Sequence, residues 1–348
     1  MSRKSVSMDH APGVEWRTLF VYERALRHFT RSGRRPFPAT AFDRLPEIRD
    51  DGLPRARFLD MGDGMALGFR RYEAASDVHL VLIHGAGCFG DQLHSIASAV
   101  SGSGKARVYT LNMRGHGLTG GDKGHAVSDP GQIIADVGRF LAKLREERPD
   151  DRIVLGGHSA GGGVVLGLSR SEARELVDGY VFLAPYLGLG SPTVRPYFGG
   201  WTRLRAMRMK ALVLANLFGV RWFNNMTVVD FDLDAAPHDP RFVRHWSFNT
   251  MMAFGAGRWI PDAEPIMPAK PVLLLAGETD ECFDQSRYRE ALDVVAPHAD
   301  MPPIGQCGHF DLLVDKAVSD ILCGWMEKKF PIKNLSYHER EKKNVVAA

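Results

Sequence analysis

Cysteine is scarce in this chain. Four occur in 348 residues, Cys88, Cys282, Cys307 and Cys323. They form no C-x-x-C pair and no spacing of metal ligands, which argues against a disulfide framework or a bound metal and fits free thiols in a reducing cytoplasm. A dominant charge is also lacking: 44 Lys and Arg stand against 41 Asp and Glu, for a net +3. That balance does not mark a nucleic-acid binder. No apolar run approaches the roughly 18 residues of a spanning helix. The opening MSRKSVSMDHAPGVEW is basic without an apolar stretch, so no secretory signal is expected. What is there is ordinary globular composition, 45% hydrophobic and 24% charged.

The two ends differ from the middle. Residues 1–35 hold eight Lys and Arg against three Asp and Glu, and residues 325–348 hold six against three. Over 14–31, Trp16, Leu19, Phe20, Leu26 and Phe29 recur at helical spacing between arginines, which predicts a basic amphipathic helix within an N-terminal extension, 1–50. Such a helix either docks on the body or lies peripherally on an anionic membrane. A charged tail is expected over 331–348, after Pro331.

Between the ends, strands and helices alternate. An Asp63-Gly64 turn predicts a hairpin. Apolar runs at 78–85, 106–113, 151–158, 179–185 and 271–278 have the length and composition of strands covered on both faces. Helical patterns follow at 129–149 and 311–330. The pattern predicts an α/β fold with a mostly parallel sheet and helices on both faces. From Pro185 to Pro271 there are about 86 residues, where one crossover helix needs about 25. The excess predicts a helical cap, 186–268, inserted between core segments 51–185 and 269–330. Within it, residues 211–220 are apolar nearly all round, either buried on two sides or facing something greasy.

The chemistry-bearing motif is Gly157-His158-Ser159-Ala160-Gly161, where a strand-like run meets a helical one. Glycines let that turn tighten, which lifts Ser159 above the sheet beside a helix N-terminus. No G-K-[ST] or G-x-G-x-x-G follows, so a phosphate loop is excluded. A nucleophilic serine needs a base and an orienting acid. Asp280 ends a buried strand and His309 precedes the final helix, with room between them for a helix at about 286–294 and a strand at about 299–304. Glu278 and Asp284 are alternatives for the acid. His84-Gly85-Ala86-Gly87 places the N–H of Ala86, with that of Ala160, as the expected oxyanion hole. Cys88, Cys282 and Cys307 fall on these same loops, so at least one is expected at the pocket.

With these segments in hand, the sequence resembles an α/β-hydrolase of the monoacylglycerol-lipase and serine-aminopeptidase branch. The matching pieces are the run from Asp63-Gly64 to Arg70, H-G-x-G at 84–87, Arg114-Gly115-His116-Gly117-Leu118-Thr119, and G-H-S-x-G-G at 157–162. Asn112 stands where the branch often has Asp, and residues 1–50 match nothing in it. The resemblance covers roughly 56–330 and implies a Ser159-Asp280-His309 triad, no cofactor and hydrolysis of an acyl bond. It also implies that the Arg114–His116 loop is structural. His158 is expected to pack under a neighbouring loop, and Asp311 to start the last helix.

The expected reaction is hydrolysis of a carboxylic ester, lipid-like in type, with Leu214, Leu217 and Phe218 of the cap as candidate contacts to an apolar acyl chain. An aminopeptidase, a thioesterase, a carbon–carbon hydrolase or a non-catalytic binding protein on the same fold are the alternatives. An aminopeptidase would need acids for the substrate's amine, for which Asp230, Asp232 and Asp234 are candidates. The expected partner is a small ester or lipid, with no nucleic acid, and oligomeric state is left open.

Overall fold

The structure is a computed structural model that describes residues 36–45, 47–234, 236–255, 267 and 269–332. The helix expected over 14–31 and most of the charged tail lie outside the described residues.

A seven-stranded sheet forms the core. Its strands are β1 (Ala56–Asp60), β2 (Ala66–Tyr72), β3 (Val78–Ile83), β4 (Arg107–Leu111), β5 (Arg152–His158), β6 (Gly179–Leu183) and, after the insertion, β10 (Val272–Leu275), in the spatial order β1-β2-β4-β3-β5-β6-β10. The predicted hairpin is present: β1 pairs antiparallel with β2, from Ala56 opposite Arg70 to Asp60 opposite Ala66. From β4 to β10 all neighbours are parallel. Every residue of β3, β6 and β10 is buried, which explains why these runs are largely apolar rather than alternating; the one imidazole, His79 in β3, bonds to Asp151 at 3.0 Å.

The core helices are α1 (His94–Gly102), α2 (Gln132–Glu147), α3 (Ala160–Leu168), α6 (Tyr288–Val295) and α7 (Lys316–Lys329). Of the helical positions Ile134, Val137, Leu141 and Leu144, the last three are buried in α2, while Ile134 is half-buried and Ile133 takes the inner place. The strand expected at about 299–304 does not form. Only isolated bridges, Leu273 with Asp300 and Gly277 with Ile304, mark its place. Pro302 and Pro303 lack the N–H groups a ladder requires. Asp311 does not start the last helix: its carboxylate accepts from the Gly308 N–H at 3.0 Å, and Asp315 caps α7 instead.

The cap is not wholly helical. It carries a three-stranded antiparallel sheet, β7 (Thr202–Leu204), β8 (Thr227–Phe231) and β9 (His245–Ser247), with helices α4 (Ala206–Leu217) and α5 (Phe248–Phe254). Three-residue strands leave too little alternation to be seen in a sequence. The cap is tied to the core by charge. Asp91, fully buried, accepts from Arg70 of β2 at 2.7 Å and from Arg241 of the cap at 3.0 Å.

Candidate active site

Ser159 sits between the end of β5 and the start of α3 with φ 53° and ψ −119°, a conformation side-chain-bearing residues rarely adopt. The surroundings hold it there: its N–H donates to the Leu183 carbonyl, and its carbonyl accepts from Gly162 and Tyr186. The flanking glycines are required by space. A Cβ at Gly157 would lie 2.3 Å from the Gly161 carbonyl carbon, and one at Gly161 would lie 2.4 Å from the Ile83 carbonyl oxygen. The motif thus folds as a tight strand–turn–helix.

Asp280 and His309 come together as read. His309 Nδ1 bonds to Asp280 Oδ2 at 2.9 Å, and both side chains are buried. A carboxylate only accepts, so Nδ1 carries the proton and Nε2 is left as the basic nitrogen. The other carboxylate oxygen, Oδ1, accepts from the Cys282 and Phe283 N–H groups, each at 2.8 Å. Asp280 is thereby fixed by its own loop. The alternatives for the acid point elsewhere. Glu278 accepts from Gln306 at the surface, and Asp284 caps a short turn through Ser286.

Two neighbours brace this pair, and of these Glu281 was not foreseen. Glu281 accepts from the His309 backbone N–H at 2.7 Å and holds the histidine loop from outside. His158, expected to pack under a neighbouring loop, donates through Nε2 to the His309 carbonyl at 3.1 Å, with the two rings 4.6 Å apart. Burial pushes the His158 imidazole well below its ordinary range, so it is neutral. The sequence signals were present, an acid beside Asp280 and a histidine beside the serine, but each contact joins segments far apart in the chain.

Ser159, Ala86 and Ala160 line one cavity of about 50 Å³. The Ala160 N–H is the first of α3, one of the donors a helix cannot use internally. The cavity's walls are Tyr186, Phe198, Trp201, Phe231, Trp246, Phe254 and Phe283, together with Thr202, Leu204, Val229, Met251 and Cys282. Strands β7, β8 and β9 each contribute a wall residue, so the small cap sheet roofs the serine.

Leu214, Leu217 and Phe218 are not among the lining residues. Helix α4 turns Met209, Leu212 and Val213 inward, which leaves Leu214 and Phe218 facing solvent at 48% and 72% exposure. Of the acids considered for an amine, Asp230 pairs with Arg205 at 2.8 Å and with His245 at 2.8 Å. Asp232 accepts from the Phe37 N–H at 3.3 Å. No charged side chain is among the cavity's lining residues.

The Arg114–His116 loop bonds to the body and the roof. Arg114 grips Asp136 through two bonds, at 2.6 and 2.7 Å, and reaches Asp63 at 2.8 Å. His116 Nδ1 donates to the Arg114 carbonyl, so Nε2 must accept, and it takes the indole N–H of Trp246 at 2.8 Å. Burial, with His84 nearby, pushes the His116 imidazole down to about 3. Asn112 accepts from the Gly90 N–H at 2.8 Å.

Among the described residues, one group of metal-ligand type is close-set: Asp280, Cys282 and His309, whose donor atoms lie within 4.8 Å of one another. Both Asp280 oxygens already accept hydrogen bonds from the chain, and burial pushes the Cys282 thiol up, away from its ligating thiolate form. Cys282 is the cysteine that lines the cavity. Burial likewise raises Cys88, and raises Cys307 to about 12.

Comparisons with known proteins give the chain's family and fold. Monoacylglycerol lipase of Mycolicibacterium smegmatis is 27% identical over 230 residues, 62% of this chain and 75% of that protein. A soluble variant of monoglyceride lipase from Saccharomyces cerevisiae superposes with TM-score 0.65 at 18% identity, over 85% of this chain and 99% of that one. The monoacylglycerol lipase of Paleococcus ferrophilus gives 0.54 at 19% identity, over 76% and 99%. The pattern of the Hydrolase_4 family, described as "Serine aminopeptidase, S33", matches residues 74–302, and the chain belongs to that family, on the α/β-hydrolase fold.

Proposed function

We propose that the protein is a serine hydrolase that cleaves a carboxylic ester with an apolar acyl group, of monoacylglycerol or lysophospholipid type, through an acyl-enzyme. One observation carries the reading: a buried Asp280–His309 pair packs, through the His309 ring 5.4 Å from Phe283, on the aromatic wall of a cavity that holds the strained Ser159 and no charged lining residue.

In this mechanism His309 Nε2 takes the proton of Ser159 Oγ as that oxygen attacks the ester carbonyl. The Ala86 and Ala160 N–H groups hold the developing oxyanion. His309 then gives the proton to the departing alcohol, and in the second half it activates water to release the acid. Asp280 keeps the imidazole in the required tautomer and stabilises its charged form. Every step uses this chain's own groups.

The cavity speaks for an ester over a peptide with a free amine. An α-ammonium group would enter a wall with no carboxylate to pair it, at the full cost of desolvation. The names of the bacterial and yeast relatives point the same way. The apolar walls suit an apolar acyl group, each CH₂ buried against them contributing about 0.8 kcal/mol.

Purified protein should be labelled by a fluorophosphonate at Ser159 and should hydrolyse glycerol and aryl esters. Ser159→Ala should lose both, with kcat down by about 10³ or more. An alanine variant that keeps a tenth of the rate, or preference for an aminoacyl amide over the matching ester, overturns the reading.

A further inference from the structure

The roof of the cavity carries one hydroxyl, and folding leaves it without a partner. On β7, Thr202 and Leu204 stand two residues apart and both line the cavity over Ser159, while Arg203 between them is exposed on the opposite face. Val229 and Phe231 of β8 and Trp246 of β9 complete that inner face, and all three are apolar or aromatic. Thr202 Oγ1 is buried and has no hydrogen-bond partner among the described residues. Seven buried side-chain polar atoms there are in that condition, and only this one belongs to a residue that lines the cavity. Protein interiors pair nearly all such groups, because an unpaired one bears the full cost of leaving water.

The hydroxyl is held in place. Thr202 stands opposite Phe231 in the antiparallel ladder. To one side the Trp201 carbonyl accepts from the Asp232 N–H at 2.9 Å, and to the other the Arg205 N–H donates to the Val228 carbonyl at 2.8 Å. A β-branched side chain also turns stiffly about its first bond. The other polar group of the roof is already engaged, since the Trp246 indole N–H donates to His116 Nε2 at 2.8 Å. A partner for Oγ1 therefore arrives with what enters the cavity.

Chemistry narrows that partner. No charged side chain is among the lining residues, so an ion would enter uncompensated and a neutral group is favoured. A threonine hydroxyl offers one donor and two acceptor sites, and a second hydroxyl matches it in either direction. An alkyl chain offers neither, and in the proposed mechanism the ester's carbonyl oxygen goes to the Ala86 and Ala160 amides.

We infer that Thr202 is a specificity-determining residue whose Oγ1 hydrogen-bonds a free hydroxyl of the substrate, carried on either the alcohol or the acyl part of the ester. This rests on the ester-hydrolase reading and adds a feature the preferred substrate carries. A site built to bond a hydroxyl rejects the analogue that lacks one, because the analogue leaves the buried group unpaired.

Three soluble esters test this on full-length protein. Glyceryl monobutyrate carries hydroxyls on its alcohol part, propyl 3-hydroxybutyrate carries one on its acyl part, and propyl butyrate has none. One of the hydroxylated esters should be preferred over propyl butyrate by about tenfold or more in kcat/KM, and which one it is locates the bond. Thr202→Val replaces Oγ1 by a methyl group of similar size and should lower that preference by about fivefold or more. Thr202→Ser keeps the hydroxyl and should retain most of it. Ratios within one preparation cancel any loss of folded protein, and their change on substitution cancels the intrinsic reactivity of each ester. In urea the valine variant should be at least as stable as the parent, because no internal bond is lost. The inference alone is overturned if the parent hydrolyses all three esters without preference, or if Thr202→Val keeps the parent's preference. A parent that hydrolyses none of the three overturns the ester reading, and this inference with it.

Discussion

His309 is fixed from three sides: Asp280 on Nδ1, Glu281 on the backbone N–H, and His158 on the carbonyl. The three bonds have separable effects. Asp280→Asn should reverse the tautomer and lower kcat by about 10³ to 10⁴ with little change in KM. Glu281→Gln keeps an acceptor of similar reach and loses only its charge, so the loss should be small, about tenfold or less. Steady-state rates on one soluble ester check both, and an Asp280→Asn enzyme as fast as the parent would remove Asp280 from the mechanism. The pairing of Asp280 with His309 was legible in the sequence, because each ends a run that delivers it to the same sheet edge. Glu281 was not, and of His158 only its packing against a loop was, because a neighbour in sequence reveals its role only through the distant group it meets.

At the scale of elements, the turn at Ser159 depends on close approach. Gly161→Ala would push a methyl group into the Ile83 carbonyl at 2.4 Å, and this is rigid backbone at the end of β3. The expected outcome is loss of about 3 kcal/mol or more, and poor recovery of folded protein. Chemical denaturation beside the parent measures it. Gly219→Ala meets no neighbour within 4 Å but must still hold φ +77°, so it should cost only about 1 kcal/mol. The cap strands show why elements there were harder to read. Thr202–Leu204 and His245–Ser247 have three residues each, and each pairs with β8 only across an intervening stretch, α4 and its turn on one side and an irregular loop on the other.

At the scale of the molecule, the described part of the N-terminal extension reaches the site. Phe42 stacks on Phe310 at 5.1 Å, and Phe37 lies 5.3 Å from Trp201, a wall of the cavity. Phe42→Ala should destabilise the protein by about 3–5 kcal/mol and loosen the loop that carries His309. A shifted melting curve together with a lowered kcat is the expected pair of readouts. Buried imidazoles also tie stability to pH. Burial pushes His84 down to about 4 and His116 to about 3, against about 6.5 in an unfolded chain. The unfolded state therefore takes up protons first. Stability from the neutral rings is whole above about pH 6.5 and is lost as pH falls toward 4 and below, at up to about 1.4 kcal/mol per pH unit for each ring. Urea titrations at pH 7, 6 and 5 should show this slope, and His116→Gln should reduce it by one proton.

The sequence by itself determined the sheet, the hairpin, the serine turn and the meeting of Asp280 with His309. These rest on local rules: continuous apolar runs for covered strands, glycines where no Cβ fits, and polar residues at strand ends. Only the tertiary structure decided what lines the cavity and what faces out. Residues 211–220 read as apolar all round, and nothing local says which side is covered. The roof over Ser159 instead comes from Leu204, Phe231 and Trp246 on three short strands, leaving Leu214 and Phe218 outside. A helix's buried side is set by what packs against it, and that partner is fixed only when distant strands pair.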